Sequence, residues 1–336
     1  DLGWSRGLGD VYKRQPLYSG RVAQKDDQMV ARLRAAGALF IGKTNTPEFG
    51  LGSNTFNSVY GKTKNPYDLS KTCGGSSGGA AVALATRMLS ISDGSDMMGS
   101  LRNPAAWNNI YGLRPTWGLV PPEPTGEIFL SQLSTLGPMA RSPKDLAMLL
   151  DVQANRIENE SFISSAKTFN NFTEEPSMKG IKVGWLGDWS GTLPFEDGLL
   201  DLSQEALDEM SSLGAIIHDL KAPFAMNDIW TSWSDLRAWQ ISNGLNEIYE
   251  DLEMRQYLKP EAVWEIECGL SLSGQDIYKS ALKKSNWYNS ASQLFEKFDL
   301  LVLPSTQVWP FDLAKIYPVS INNQVMDTYH RWMQVT

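Results

Sequence analysis

Histidine, cysteine and long apolar runs are all scarce in this chain. Its 336 residues include two histidines, His218 and His330, and two cysteines, Cys73 and Cys268, far apart in sequence. Two lone thiols make neither a disulfide framework nor a zinc site. Two histidines leave little room for a His-based metal centre or a serine–histidine triad. No apolar run approaches the roughly 20 residues that a bilayer-spanning helix needs. Residues 1–15, DLGWSRGLGDVYKRQ, lack the apolar core of a secretory signal. The sequons beginning at Asn159 and Asn171 therefore read as chance matches, and the expected compartment is cytoplasmic. A basic block is also missing: Lys plus Arg is 30 against 38 for Asp plus Glu, a net charge of −8. Such a chain is a poor binder of nucleic acid or anionic membrane, and neither is expected as a partner. What is present is the composition of a globular protein, 42% hydrophobic and 20% charged. That is enough for two average domains or one large α/β domain.

The apolar pattern predicts alternating helices and short strands. Residues 26–36 read as a helix capped by Asp26 or Asp27, with Met29, Val30, Leu33 and Ala36 on one side and Gly37 at its end. ALFI at 38–41 reads as a short buried strand, and 42–75 is turn-rich. The small, apolar 79–88 suits a tightly packed helix; 89–93 reads as a strand running into a loop, and 143–153 as a helix opened by Pro143. Residues 154–179 are polar, a linker or surface loop. Beyond them, strands at 181–186, 214–220 and 298–304 alternate with helices at 201–213, 226–252 and 277–297. This order argues for an α/β protein with a parallel or mixed sheet. Ile229, Trp230, Trp233 and Leu236 form a helical stripe read as core. His218 is read as structural or on the surface, His330 as solvated, and Cys73 as a small buried filler.

Three segments invite a chemical reading. Gly37 to Thr44 matches the phosphate-loop pattern GxxxxGK[ST], but that loop needs a strand before the first glycine and a helix beginning at Lys-Thr. Here the order is reversed and Pro47 follows, so Lys43 is assigned a structural role. The second segment, Cys73-Gly-Gly-Ser76-Ser77-Gly-Gly79, surrounds two serines with glycines and leads directly into the small-residue helix. The third, Gly94-Ser-Asp96-Met97-Met98-Gly99-Ser100, places a serine at a strand-to-loop end, where an exposed nucleophile and free backbone N–H donors can coincide.

With both serine loops in view, the chain resembles the amidase signature enzymes. The likeness is carried by LRAAGALFIGKTNTPEFG at 33–50, NPYDLSKTCGGSSGGAAVALA at 65–85, DGSDMMGSLRNPAAWNNIYGLRPTWGLVP at 93–121 and LSTLGPMARSPKDLAMLLD at 133–151. It continues more loosely through 181–220 and LVLPSTQVWP at 301–310, and so covers roughly 16–336. The resemblance implies an α/β fold of the amidase signature type, with a mixed, mostly parallel twisted sheet sandwiched between helices (α/β/α). It makes Ser100 the nucleophile and Ser76, after a cis peptide bond, the serine that bridges it to a neutral lysine. It puts the oxyanion hole on backbone N–H groups from Met97, Met98, Gly99 and Ser100, with Asp96 and Arg102 holding the loop. A lysine base also suits a chain so poor in histidine, provided burial keeps the amine neutral. The implied activity is hydrolysis of a small-molecule carboxylic amide through an acyl-enzyme, without metal or cofactor. The alternatives are the A-type subunit of a glutamine amidotransferase, which works with partner subunits and tRNA, and a catalytically dead fragment.

The chain departs from the family at both ends. The family's lysine is expected at or just before residue 1, in a Lys-Asp pair after an apolar strand. Residues 1–15 match no such pattern, and Lys13 has neither the strand before it nor the Asp after it. No catalytic lysine is assigned in this chain, and 1–15 is read as an atypical leader. The sequence stops at YHRWMQVT, where family members continue. Residues 16–336 are thus expected to be an incomplete amidase signature domain with impaired activity; a homodimer is compatible with it.

Overall fold

A computed structural model of the protein describes residues 15–18, 25–122, 127, 129–154, 168–169 and 177–336. Residues 1–14 with Lys13, and most of the 154–179 stretch with the sequons at Asn159 and Asn171, lie outside the described residues. The chain divides into two compact units. The first is the chain up to residue 173 with Pro310–Pro318 and Thr336; the second is 174–309 with Val319–Val335.

The first unit opens with helix α1, Gln28–Ala35, whose N-cap Asp27 accepts the Val30 N–H at 3.1 Å. A small hairpin follows, of β1 (Phe56–Asn57) and β2 (Gly61–Lys62). Next come α2 (Gly78–Ala85), β3 (Ile91–Asp96), α3 (Arg102–Trp107), β4 (Tyr111–Gly112), β5 (Thr135–Ala140) and α4 (Pro143–Ala154). The three longer-range strands form an antiparallel sheet in the order β3-β5-β4, with Ile91 opposite Ala140 and Asp96 opposite Thr135. α2 is made of Gly, Ala, Val and Leu because it is enclosed. A Cβ on Gly79 would come 2.4 Å from the Asn45 backbone nitrogen. Ala80, Ala81 and Leu84 pack with Leu101, Ala105 and Met139 in one core cluster. Burying Leu84 and Leu101 contributes about 1.5–3 kcal/mol each. A second cluster joins Met29 and Leu33 of α1 to Val120, Leu149 and Leu150.

The second unit contains β6 (Lys182–Trp185), α5 (Leu199–Ser212), β7 (Ile216–Asp219), α6 (Met226–Glu250), α7 (Leu252–Arg255), α8 (Pro260–Ser271), α9 (Gly274–Phe295), β8 (Leu300–Val302), β9 (Ser320–Ile321) and β10 (Gln324–Val325). Its three-stranded sheet is parallel, in the order β7-β6-β8. The β6-α5-β7 crossover is the unit that a parallel pair requires. α8 and α9 pack on α6. α9 starts with a capping box between Ser273 and Asp276. The α/β class with helices on a mixed set of strands is therefore present, as one antiparallel and one parallel sheet of three strands among the described residues.

Three expectations need correction. Residues 38–41 form no strand: Ala38 and Phe40 turn to the core, but Leu39 and Ile41 are 91% and 74% exposed. The two-residue alternation is right; what is absent among the described residues is a neighbouring strand to pair the backbone. β8 is half-exposed rather than buried, with Leu300 at the surface. His330 is not solvated but 2% exposed. It lies edge-on to Trp230, Trp233 and Trp264 at 5.0–5.8 Å and against Tyr329 at 4.5 Å. Cys73 is fully buried, Trp230 is core, and His218 lies exposed on β7, as expected. No helix begins at Lys43-Thr44, so the phosphate-loop pattern has no phosphate-loop structure.

Candidate active site

Both serine loops belong to the first unit and meet there. β3 delivers the chain to Asp96, where the strand ends and the Ser100 loop begins. Asp96 is completely buried and takes four hydrogen bonds. Oδ1 accepts Gly99 N–H at 2.8 Å and Arg102 Nη2 at 2.9 Å; Oδ2 accepts Leu101 N–H at 3.2 Å and Arg102 Nε at 3.0 Å. Arg114 Nε stands 3.5 Å from Oδ1. Burial pushes this carboxyl's pKa up, but the charge and hydrogen bonds of Arg102, the charge of Arg114 and the Leu101 N–H outweigh it. The pKa ends below the ordinary carboxylate range. One ionised side chain thus grips the backbone on both sides of Ser100. Gly99 is needed here twice over: its φ is +80°, and a Cβ would come 2.6 Å from Thr336 Oγ1.

The second loop approaches from α2. The Gly75–Ser76 bond is cis, and Ser76 and Ser77 are each 2% exposed. Ser77 N–H donates to the Ser100 carbonyl at 3.2 Å, which joins the two loops through the backbone. The approach is close because Gly94 leaves room: a Cβ there would sit 2.6 Å from Ser77 Oγ. Asn108, fully buried, also bridges the loops, with Nδ2 donating to Cys73 O at 2.8 Å and Pro104 O at 2.7 Å.

The structure brings the Ser76–Ser77 loop against Ser100 through the Ser77 backbone. Ser100 is 9% exposed, and neither its hydroxyl nor that of Ser76 is hydrogen-bonded to another described residue. Gly99 N–H is committed to Asp96, which narrows the expected oxyanion donors. The N–H groups of Met98 and Ser100 have no acceptor among the described residues. Ser77 Oγ is buried without a partner among them. No described lysine bonds to either serine, and Lys13 falls outside the described residues. Among the described residues no three of His, Cys, Asp and Glu gather where a metal ion could be held. Sequence reasoning missed Arg114 and Asn108. A single polar residue has no periodicity to betray it, and its partner is set by tertiary contact.

The family profile described as Amidase matches residues 15–336. The A-type component of the Glutamyl-tRNA(Gln) amidotransferase of Alkaliphilus metalliredigens is 31% identical over 338 aligned residues, covering 88% of this chain and 67% of that protein. The component of the same name from Thermus thermophilus is 33% identical over 300, covering 82% and 62%. Among solved structures, a bacterial aryl acylamidase of the amidase signature family superposes with a TM-score of 0.87 at 24% identity, covering 98% of this chain and 71% of that one. The 6-aminohexanoate cyclic dimer hydrolase superposes with 0.83 at 23%, covering 98% and 72%. At these identities the structural likeness establishes the fold.

Proposed function

The chain belongs to the Amidase family, and from that premise we propose that it is built to hydrolyse a carboxylic amide through an acyl-enzyme on Ser100. The observation that carries the reading is the backbone bond from Ser77 to Ser100, which joins the two serine loops, with Asp96 holding the amides on either side of Ser100. Ser100 Oγ attacks the amide carbon while its proton passes through the Ser76 hydroxyl to a neutral amine. The oxyanion forms on the N–H groups of Met98 and Ser100, each such donor worth about 3 kcal/mol of barrier. The proton then returns to the leaving nitrogen as the C–N bond breaks, and water releases the acid from Ser100. Asp96, Arg102 and Arg114 hold the loop and exchange no proton with substrate.

We propose residues 16–336 as the catalytic domain, a small-molecule amide as substrate and the cytoplasm as the site of action; a homodimer is the simplest assembly. No described lysine bonds to the serine pair, so turnover by this chain is expected to be impaired, while fluorophosphonate labelling, which needs only the placed Ser100 hydroxyl and its oxyanion donors, is expected to stay measurable. A fluorophosphonate probe tests the nucleophile: labelling should vanish in Ser100→Ala, and labelling that persists there would remove the assignment. The second reading is the A-type component of an amidotransferase, favoured by the names of the relatives at 31–33% identity. Co-purification with partner subunits would support it. Turnover of simple amides by the intact gene product on its own would count against it.

A further inference from the structure

We infer that Thr55, just ahead of β1, is a positioning residue that sets the Ser76 loop for the relay; this rests on the reading of Ser76 and Ser100 above. Helix α2 begins at Gly78, and its N-cap residue Ser77 makes no side-chain cap bond. The first-turn N–H groups of a helix have no partner within it, and a buried one left alone is costly. Here the partner comes from elsewhere in the chain: Thr55 Oγ1 accepts the Gly78 N–H at 3.1 Å. The same hydroxyl donates to Gly74 O at 2.8 Å, with Ser76 O second at 3.4 Å. Thr55 N–H also donates to Gly74 O at 3.1 Å. One hydroxyl, 2% exposed as a residue, therefore touches the chain before Ser76, the carbonyl of Ser76 and the chain after it. The glycines make this possible: a Cβ on Gly78 would stand 2.2 Å from Thr55 Oγ1, and one on Gly75 3.0 Å. Thr55 is itself anchored, since its carbonyl accepts Thr63 N–H at 2.9 Å, next to β2. Nothing in Ser53-Asn54-Thr55 announces this in the sequence.

The test separates hydroxyl from shape. Thr55→Val keeps the volume and removes the donor and acceptor; Thr55→Ser keeps the hydroxyl and removes the methyl. In the full chain, thermal unfolding confirms folding, the rate of fluorophosphonate labelling at Ser100 reports positioning, and amide exchange over 73–79 reports the loop. Thr55→Val is expected to label at least about tenfold more slowly, since misplacing a reacting group by about 1 Å can cost on the order of 100-fold. Exchange over 73–79 should quicken in Thr55→Val, and Thr55→Ser should restore both readouts. Unchanged labelling in Thr55→Val, or equal loss in both variants, would overturn the inference. If Ser100→Ala labels like the wild type, the nucleophile assignment fails separately. The exchange comparison then decides Thr55 alone: loop protection equal in the wild type and Thr55→Val would end its role.

Discussion

At the scale of single residues the site is a matter of where one charge sits. Asp96 is buried and ionised, so removing its charge leaves Arg102 and Arg114 facing a neutral amide and loosens the loop. Asp96→Asn should destabilise the first unit by about 3 kcal/mol, the low end for breaking a buried pair, because the Arg102 side chain is 31% exposed. Its folded pKa lies below the unfolded value, so its contribution is complete above about pH 4 and fades as the pH falls further. Urea unfolding from pH 6 down to 3 should show the gap between wild type and Asp96→Asn closing at the acid end. Cys73 offers a second check. Burial pushes its thiol up to about 12, against a weaker opposing bond from Thr55. Iodoacetamide at pH 8 should leave Cys73 unmodified in the native protein and modify it after denaturation, as read by peptide mass spectrometry. Ser76 and Ser100 stand out in the sequence because Ser76 lies inside a run of four glycines and Ser100 directly follows Gly99. Arg114, Asn108 and Thr55 cannot, because each acts on a partner far away along the chain.

At the scale of elements, helices are the easier to read from sequence. The amphipathic runs at 28–35, 143–154, 199–212 and 274–295 carry their own period, caps and breakers. β5 does not: it is the middle strand of its sheet and contains Gly137 and Pro138, residues that argue against a central strand. Pro138 has no N–H to give the ladder, while its carbonyl accepts Leu113 N–H at 3.1 Å. Two glycines in the helices of the second unit should answer oppositely to alanine. In α6, Gly244 has open space where a Cβ would go, so Gly244→Ala should stabilise by about 0.5–1 kcal/mol. In α8, a Cβ on Gly269 would come 2.2 Å from the Ala238 carbonyl of α6, so Gly269→Ala should cost about 1–3 kcal/mol despite better helix propensity. Urea midpoints of the two variants test both signs. Against these helices lies the cluster of Arg237, Glu265, Tyr329 and His330. Glu265 is pushed up by burial but held at about 2 by Arg237 and the bonds from His330 and Tyr329. His330 is 3.4 Å from Glu265, yet burial among the rings outweighs that carboxylate and keeps the imidazole pKa low. Its folded pKa lies below its unfolded one, so stability should start to fall as the pH drops below about 6.5. Glu265 should add a further loss from about 4.5 down to about 2. His330→Phe should lose the first of these slopes and keep the second, as followed by urea midpoints at pH 7, 6, 5, 4 and 3.

At the scale of the whole molecule, the alternation of helices and strands is enough for the α/β class, but not for which strands pair. Pairing depends on register between segments far apart in the chain, and no local pattern encodes it. The net charge of −8 is a property of the whole chain, and it predicts that tRNA mixed with this protein alone at about 150 mM salt will show no retarded band in a gel. A shifted band would favour the amidotransferase reading and direct attention to the scattered lysines.

The grip of Asp96 on the amides either side of Ser100 has a consequence for how substrate would be met. The backbone there is already held by hydrogen bonds in the free fold, so its ordering entropy is spent when the polypeptide folds and not at encounter. Recognition at this loop should then resemble a key entering a rigid lock, with adaptation left to the walls around it.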